Sequence, residues 1–267
     1  MDKEIINWKE LLYPYEQTVD ELMLKFNYIR KEFLRMGMYS PIESVEGRVK
    51  SAASIIEKVS RKGIERDKIE EEVEDIAGIR LICQFVEDIP KIADIIRQRD
   101  GHDIEIVEER DYIANKKESG YRSYHIIIRY ALNTAFGFKK VLAEIQIRTL
   151  AMNFWAVTEH ELNYKYSGNM PNGLKERLKA CAEASFKLDE EMSTIREELM
   201  QAEKMSELKT NLVNNILENI QNLYFKLHVD EADNINRRFI SLYEDGDISK
   251  LKDFNEQLNI VAEMYRV

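Results

Sequence analysis

Residues 110–130 read RDYIANKKESGYRSYHIIIRY, and residues 141–166 read VLAEIQIRTLAMNFWAVTEHELNYKY. The β-branched runs within them predict two strands, at 124–130 and 140–147. The connection at 131–139 is short and contains a glycine, which predicts a hairpin with antiparallel strands.

Strand and helix patterns surround this hairpin. The sequence predicts a buried strand at 78–86, a helix at 88–99, a short strand at 104–107 and a helix at 150–164. Another helix is predicted from Gly173 onward. Helices at both ends of the chain, with strands and helices mixed between them, predict an α+β fold.

The first helix is predicted over residues 2–36, where apolar residues recur at steps of four and three. Pro14 lies inside this pattern and predicts a kink or a break. Packing against the helix's own domain and a coiled-coil or subunit contact both produce such a stripe, so the two interpretations are open.

A second helix is predicted to begin at Pro41 and to carry the basic residues between Arg48 and Lys62. Four of its residues fall at steps of four, four and three, and so share one face: Lys50, Ser54, Lys58 and Arg61. A solvated helix face gives the same row, so the spacing alone does not define a site.

The pattern from residue 205 to the end is helical, with a break at residues 244–247, Glu-Asp-Gly-Asp. Its apolar residues are sufficient for two or three amphipathic helices. We therefore divide the chain into a domain at 1–204 and a helical extension at 205–267.

Composition limits the classes of function. The chain has 267 residues, 44% of them hydrophobic, and a formal net charge of −10. It can bury a large core, but it lacks the overall basic character that broad nucleic-acid binding needs. Its basic residues gather at 48–66 and 110–122, which favours a small anionic ligand over a polymer.

The two cysteines, Cys83 and Cys181, have neither metal-ligand spacing nor the pattern of a disulfide framework. Both are predicted to be buried and unpaired. The N-terminal residues MDKEIINWKE lack the apolar segment of a signal peptide, and no run of about 18 apolar residues occurs. We expect a cytoplasmic protein.

The loop before the first hairpin strand combines positive charge with aromatic rings. Its cations are Arg110, Lys116, Lys117 and Arg122, and its aromatic residues are Tyr121 and Tyr124. A purine ring can stack on an aromatic face while cations hold the phosphates, so this composition suits a nucleotide. An ordinary solvated loop leading into a core strand is the competing interpretation.

Two carboxylates stand on or next to predicted strands. Asp75 precedes the strand at 78–86, and alternation places Glu144, Gln146 and Arg148 on one face of the second hairpin strand. A pair of carboxylates can hold Mg²⁺ against nucleotide phosphates and accept a proton, although paired acids are also common in salt bridges. Together with the cationic and aromatic loop, they suggest phosphoryl or nucleotidyl transfer.

Four blocks of the sequence resemble the small stand-alone alarmone synthetases of the RelA/SpoT family, most closely the RelQ type. They are SPIESVEGRVKSAASIIEKVSRK at 40–62, VEDIAGIRLICQFVED at 73–88, RDYIANKKESGYRSYH at 110–125 and EIQIRTLAMNFWAVTEHELNYKYSG at 144–168. The resemblance implies a nucleotidyltransferase-like mixed sheet flanked by helices. It also implies transfer of the ATP pyrophosphate to the ribose 3′-hydroxyl of GDP, GTP or possibly GMP, as in stringent-response signalling.

The resemblance also implies a set of roles. ATP is bound by Arg48 and Arg80 at the adenine and by Lys50, Lys58 and Arg61 at the phosphates, with Ser54 assisting. Asp75 and Glu144 hold Mg²⁺, and Glu144 is the base that takes the proton of the 3′-hydroxyl. The guanine nucleotide is bound by Tyr121 as the stacking ring, by Arg110 and Lys117 at the phosphates, and by His125, Gln146 and Asn153.

The sequence departs from the RelQ type in one respect. Some members of that type are homotetramers stimulated by their own product, and the resemblance implies a homo-oligomer here. The positions that bind the activating product correspond to Met23, Asn27, Ser44 and Glu46, which lack the expected cations and stacking ring. We expect little or no product activation.

The family also contains other activities, which the sequence does not favour here. His102-Asp103 is formally the HD pair of the family's hydrolase half, but no other hydrolase motif accompanies it, so we expect synthesis only. A relative that pyrophosphorylates tRNA 3′ ends would use the same ATP site, but the net charge does not favour RNA binding. A nucleotide- or RNA-binding regulator that has lost catalysis would not need both Asp75 and Glu144.

Overall fold

The computed structural model describes residues 6–165, 172–224 and 229–264. Its chain forms two compact units, Met1–Ser193 and Thr194–Val267. The first unit contains a five-stranded mixed sheet with helices around it, which confirms the α+β prediction.

The sheet has the strand order β1-β2-β5-β4-β3. Its strands are β1 (Ser44–Val49), β2 (Ala77–Cys83), β3 (Ile104–Asp111), β4 (Tyr124–Thr134) and β5 (Gly137–Thr149). Strands β2 and β5 are parallel, and the other neighbours are antiparallel. The predicted hairpin is therefore confirmed, with longer strands and a tighter turn than expected because Thr134 pairs directly with Gly137.

Most of the helices belong to the first unit. They are α1 (Trp8–Arg35), α2 (Ala52–Lys62), a 3-10 turn (Arg66–Lys68), α3 (Ile69–Glu72), α4 (Asp88–Arg97), α5 (Leu150–Lys165) and α6 (Asn172–Tyr224), the last of which continues beyond Ser193. The helices predicted at 88–99, at 150–164 and from Gly173 are thus confirmed within a few residues.

The two faces of the sheet have different chemistry. Ala143, Ile145 and Ile147 of β5 belong to the apolar core, which also contains residues of α1 and α4. The intervening residues of β5, Glu144 and Gln146, line a cavity instead. Alternation along the strand therefore separates core from site, as the sequence predicts.

Helix α1 continues through Pro14, so no break occurs there. The Thr18 hydroxyl donates to the Pro14 carbonyl at 2.8 Å. The buried side of α1 packs on the sheet so closely that a Cβ on Gly47 of β1 would lie 2.5 Å from the Met23 sulfur and 2.6 Å from Val19. Packing within its own domain therefore accounts for the apolar stripe on this side. Residues 2–5 of the predicted helix lie outside the described residues.

The helix predicted from Pro41 is wrong at its start. Residues Ser44–Val49 form strand β1, and helix α2 begins only at Ala52. Backbone pairing with β2 outweighs the local helix signal of Pro41, since all six residues of β1 find partners there. Ser51 caps α2 by accepting from the Ser54 backbone N–H at 3.3 Å.

Cys83 is buried as predicted, whereas Cys181 is exposed on α6, so that part of the prediction is wrong. Both are free thiols. In the described part of the chain, no helix is both long and apolar enough to cross a membrane.

The second unit is helical. It contains the last part of α6 together with α7 (Val229–Asp245) and α8 (Ile248–Met264), and the predicted break at 244–247 separates α7 from α8. A cluster that includes Ile216, Phe239, Leu251 and Phe254 forms its own small core.

Candidate active site

A cavity of about 700 Å³ opens on the polar face of the sheet. This volume is within the range of about 300–1,000 Å³ typical of small-molecule sites. Most of its lining residues can carry a charge or donate hydrogen bonds. Residues from the predicted site that line it are Arg48, Lys58, Asp75, Arg80, Arg110, Lys117, Tyr121, His125, Glu144 and Gln146.

The loop between β3 and β4 is held against α6. Gly120 has φ +88°, and a Cβ there would lie 2.7 Å from the Ala182 side chain, so a glycine is required. Glu183 of α6 accepts hydrogen bonds from Lys116 at 2.8 Å and from Arg122 at 2.9 Å. Two of the four loop cations therefore fasten the loop, and the other two, Arg110 and Lys117, line the cavity.

The aromatic surface of the cavity differs from the prediction. Tyr121 lines it, but its second tyrosine is Tyr112, not Tyr124. The Tyr124 hydroxyl instead bonds Glu109 and Arg97. Lys117 Nζ lies 4.4 Å from the ring centroid of Tyr112 and 4.9 Å from that of Tyr121.

Positive charge accumulates in this part of the cavity. Burial lowers the pKa of Lys117, and repulsion from Arg110 and Arg148 lowers it further, while Glu144 acts in the opposite direction. An ammonium group in such surroundings gains from an anionic ligand, because the ligand's charge offsets the repulsion.

Glu144 is held by two hydrogen bonds, one to each of its oxygens. Its Oε1 lies 2.8 Å from His125 Nδ1, and its Oε2 accepts from Gln146 Nε2 at 2.6 Å. Burial acts to raise the pKa of Glu144, but the bonds with His125 and Gln146 outweigh it and hold the pKa below its usual value. Glu144 is therefore ionised at neutral pH.

Asp75 is held by two cations. Its Oδ2 accepts from Lys50 Nζ at 2.8 Å and its Oδ1 from Lys58 Nζ at 2.7 Å. Burial acts to raise the pKa of Asp75, and the bonds from the two lysines lower it below its usual value. Both carboxylates are thus ionised oxygen donors near one cavity, and this donor set fits Mg²⁺.

Among residues 6–165, 172–224 and 229–264, no group of three or more His, Cys, Asp or Glu side chains could hold a metal ion by itself. One or two carboxylates are the usual protein contribution to a nucleotide-bound Mg²⁺, and nucleotide phosphates and waters supply its other ligands, so a full protein cage is not required.

Arg48 and Arg80 come from neighbouring strands. The register pairs Arg48 with Gly78 and Glu46 with Arg80, which puts both arginines on one face of the sheet. Burial lowers the pKa of Arg80, and the charges of Arg148 and Arg48 lower it further. Glu46 lies 3.8 Å from Arg80 as a distant ion-pair partner.

Arg110 is paired with two acids. Glu74 accepts two hydrogen bonds from its guanidinium, at 2.8 and 2.9 Å, and Glu108 also pairs with it. Glu74 immediately precedes Asp75, so the segment before β2 contacts both sides of the cavity.

Four predicted site residues are not part of this lining: Lys50, Ser54, Arg61 and Asn153. Arg61 is exposed on α2. The Ser54 hydroxyl lies 2.9 Å from the Ser51 hydroxyl, at the beginning of α2. Asn153 accepts from Arg148 Nη1 at 3.3 Å.

Sequence reasoning assigned no role to several residues that line the cavity, among them Glu74, Tyr112, Arg148 and His160. Alternation along β5 did place Arg148 on the polar face, but assigned it no role. The other three become neighbours only through the packing of β3, α5 and the segment before β2.

Comparison with known proteins places these residues in a family. Residues 47–169 match the model described as a region found in RelA / SpoT proteins. The chain is 53% identical over 196 residues to the GTP pyrophosphokinase YjbM of Bacillus subtilis (strain 168), covering 73% of this chain and 92% of the relative. It is 41% identical over 195 residues to the GTP pyrophosphokinase YwaC of the same organism, covering 72% and 92%.

A solved structure supports the same relationship. The crystal structure of small alarmone synthetase 1 from Bacillus subtilis, bound to its product pppGpp, matches with a TM-score of 0.69 and 53% identity. The match covers 72% of this chain and 97% of that chain.

Proposed function

The chain belongs to the RelA/SpoT family, and we propose that it is a GTP pyrophosphokinase that makes ppGpp and pppGpp. It transfers the pyrophosphate of ATP to the ribose 3′-hydroxyl of GDP or GTP and releases AMP. The observation that carries this proposal is the meeting, in one cavity, of two ionised carboxylates, a cationic and aromatic loop and a second group of cations. Transfer of pyrophosphate between two nucleotides can use each of these groups: cations for the phosphates, an aromatic surface for a base and a carboxylate that accepts a proton.

The acceptor side of the cavity consists of Arg110, Lys117, Tyr121, His125, Gln146 and Asn153. In the proposal, guanine stacks on Tyr121 and the acceptor phosphates bind Lys117 and Arg110. Lys117 is suited to this role because burial and the nearby arginines lower its pKa, and an anionic phosphate would offset both effects. Arg110 is already in an ion pair with Glu74, so an acceptor phosphate would share or replace that partner.

The donor side consists of Arg48, Lys50, Ser54, Lys58, Arg61, Asp75 and Arg80. Arg48 and Arg80 would enclose the adenine, since planar guanidinium groups stack well on aromatic rings. Lys50 and Lys58 would turn from Asp75 to the ATP phosphates, which leaves the Asp75 oxygens free.

Asp75 and Glu144 would hold Mg²⁺, which supplies neutralisation of phosphate charge when it is bound. Glu144 is ionised and therefore able to accept the proton of the 3′-hydroxyl as that oxygen attacks the β-phosphorus of ATP. The P–O bond to the α-phosphate then breaks, and AMP leaves with the bridging oxygen. Lys50 and Lys58 would stabilise charge on the transferred group.

We also propose that this protein is a homo-oligomer without product activation. The resemblance to the RelQ type supports the homo-oligomer, and the residues at the activating positions support the absence of product activation. Met23 and Asn27 are neutral, so neither offers a cation to the product. The two are also engaged within the chain, because Asn27 Nδ2 donates to the Met23 carbonyl at 2.9 Å and Met23 packs against Gly47. The initial rate with added pppGpp should stay within about twofold of the rate without it. An activating site that contained cations would bind pppGpp and raise the rate more strongly. A several-fold activation would contradict this.

Purified protein incubated with ATP labelled at its β-phosphate, Mg²⁺ and GMP, GDP or GTP tests the proposal directly. Label should move to the guanine nucleotide while AMP appears in equal amount. A parallel reaction with tRNA distinguishes the related activity, and label on tRNA alone would overturn the proposal. No transfer to either acceptor would favour a regulator without catalysis.

A further inference from the structure

Arg148 is a nearly enclosed guanidinium at the centre of the acceptor side. The residue is 4% exposed, and it lies on the polar face of β5 together with Glu144 and Gln146. Its four described hydrogen-bond partners are all neutral side chains. They are Ser123 Oγ at 3.3 Å, Asn153 Oδ1 at 3.3 Å, Tyr121 Oη at 2.7 Å and Gln146 Oε1 at 2.6 Å.

Two chains of hydrogen bonds connect Arg148 to Glu144. One passes through Gln146, whose Nε2 lies 2.6 Å from Glu144 Oε2. The other passes through the Tyr121 hydroxyl, which lies 2.8 Å from His125 Nε2, and then from His125 Nδ1 to Glu144 Oε1 at 2.8 Å. The five side chains therefore form a closed ring.

Arg148 and Glu144 together determine the direction of every hydrogen bond in the ring. An arginine side chain only donates and a carboxylate only accepts, so both chains start at Arg148 and finish at Glu144. Tyr121 accepts from Arg148, which leaves its own proton for His125 Nε2. His125 Nδ1–H then points at Glu144, and Gln146 has its oxygen toward Arg148 and its amide nitrogen toward Glu144. Every group in the ring has a matching partner in this one arrangement.

Arg148 has little capacity left for a ligand. A guanidinium has five N–H groups, and the bonds to Ser123, Asn153, Tyr121 and Gln146 use four of them. Bidentate binding of a phosphate needs two free donors on one edge. The guanidinium also lies 5.3 Å from the centroid of the Tyr121 ring, so it contacts the stacking residue at both its hydroxyl and its face.

We propose that Arg148 is a positioning residue for the acceptor. The ring of hydrogen bonds acts as a rigid frame, in which Arg148 holds the Tyr121 ring and the Glu144 carboxylate in place. The orientation of guanine and the aim of the base toward the 3′-hydroxyl are then set by the same side chain. This inference rests on the proposed function of the acceptor side. None of the four contacts reaches Lys50, Lys58 or Asp75, so we expect replacement of Arg148 to weaken binding of the guanine nucleotide more than binding of ATP.

Steady-state kinetics of Arg148→Met and Arg148→Lys test the frame. A misplaced reacting group can lose about 100-fold in rate, so we expect kcat/KM for GDP and GTP to fall between about 10- and 100-fold. The KM for ATP should stay within about twofold, because the donor contacts are unchanged. Lysine should not restore activity, because it lacks the planar fork that reaches Tyr121 and Gln146 together. An equal rise in the KM for ATP and in the KM for the guanine nucleotide would overturn the proposal.

Binding of GMP, GDP and GTP separates positioning from direct phosphate contact. A positioning residue should weaken all three nucleotides by the same factor when it is replaced. A loss that grows with the number of phosphates would show that Arg148 is itself a phosphate ligand, and would overturn the proposal.

A spectroscopic measurement tests the frame without any turnover. In the ligand-free protein, the His125 Nδ1–H bonded to Glu144 should give a protected downfield proton resonance, assigned by its loss in His125→Gln. The resonance should disappear in Arg148→Met and in Tyr121→Phe, which removes only the hydroxyl link. It should persist in Arg129→Met, a matched control on β4 that loses an exposed arginine paired with Glu105.

The proposed function and the proposed role of Arg148 can be contradicted independently of each other. If the wild-type protein transfers no pyrophosphate, the proposed function is wrong, whatever the resonance shows. If the wild-type protein is active but the resonance survives in both Arg148→Met and Tyr121→Phe, the frame is wrong and the function stands. Tyr121→Phe also keeps the test valid if Arg148→Met does not fold.

Discussion

Two carboxylates serve the same cavity, and each is kept ionised by different chemistry. Asp75, on the donor side, is neutralised by the ammonium groups of Lys50 and Lys58. Glu144, on the acceptor side, is held by His125 and Gln146 within the ring that begins at Arg148. Cations can leave a carboxylate when a polyphosphate arrives, whereas a directional network keeps its geometry. In the proposed function, Asp75 therefore exchanges its partners when ATP binds, whereas Glu144 keeps its orientation.

Replacement of Glu144 by glutamine should have the largest effect. A general base accelerates a reaction by about 100- to 10,000-fold, so Glu144→Gln should lower kcat by a factor between these two values. Affinity for ATP in the absence of Mg²⁺ should stay within about twofold, because Lys50 and Lys58 are unchanged. The measurement is turnover with ATP and GDP, together with ATP binding and thermal unfolding. Retained turnover in a folded variant would remove Glu144 from its role as base.

Replacement of Lys58 by methionine should have the next largest effect, and on the other substrate. Charge-assisted bonds to phosphate are the strong ones, so kcat/KM for ATP should fall about 10- to 100-fold. The KM for GDP should change little. Lys68→Met is the matched control, since Lys68 is an exposed lysine paired with Glu65. A loss that appears mainly in the KM for GDP would break the division of the cavity into two sides.

A third carboxylate shows what burial does without cations or a network. Asp189 is 5% exposed and accepts one described hydrogen bond, from the Thr149 hydroxyl at 2.6 Å. Burial raises its pKa to about 6. Partners thus decide the direction of the shift, since Asp75 and Glu144 are also partly or largely enclosed yet have lowered pKa values.

This difference predicts opposite pH dependences of stability. The folded state keeps the Asp189 proton up to about pH 6, while the unfolded chain releases it near pH 4, as an ordinary Asp does. Stability should therefore fall as pH rises from about 4 to 6, and the cost persists above pH 6. Asp75, with a lowered pKa, contributes stability above its usual pKa, which is lost as pH falls through the folded value.

Asp189→Asn should remove the fall of stability that Asp189 causes between about pH 4 and 6. The gain in unfolding free energy of the variant over the wild type should be about 1–3 kcal/mol larger at pH 7.5 than at pH 4.5. Denaturation followed by tryptophan fluorescence is suitable, because the two tryptophans, Trp8 and Trp155, are both in the first unit. Asp94→Asn, at an exposed Asp paired with Arg97, is the control and should show no such change. An unchanged pH profile in Asp189→Asn would contradict the raised pKa.

The predicted fold depended on how local each signal was. Alternation in β5 correctly separated Ala143, Ile145 and Ile147 from the polar face, because side chains alternate in any strand. The segment at Ser44–Val49 was predicted as helix and is an edge strand. Its conformation depends on pairing with β2, whose partner residues lie 28 to 38 positions further along the chain, and no local pattern contains that information.

The site followed the same rule. Residues quoted from the family's blocks gather in one cavity, but Tyr112 replaces Tyr124 as the second aromatic wall. Lys116 and Arg122 turn to Glu183 of α6, because the packing of the loop on that helix decides which cations remain available. The roles of all the predicted site residues, including Ser54 and Arg61, stay predictions.

The sequence by itself determined the residue types, the periods of two and 3.6 and the family's blocks, and through them the α+β class and the reaction. Those properties are local or are read in order along the chain. Tertiary structure alone decided that Lys50 and Lys58 meet Asp75 and that Arg148 and Glu144 close one ring with Tyr121, His125 and Gln146. Such meetings depend on strand order, register and side-chain direction, since hydrogen bonds form only between groups that the fold brings within about 3 Å.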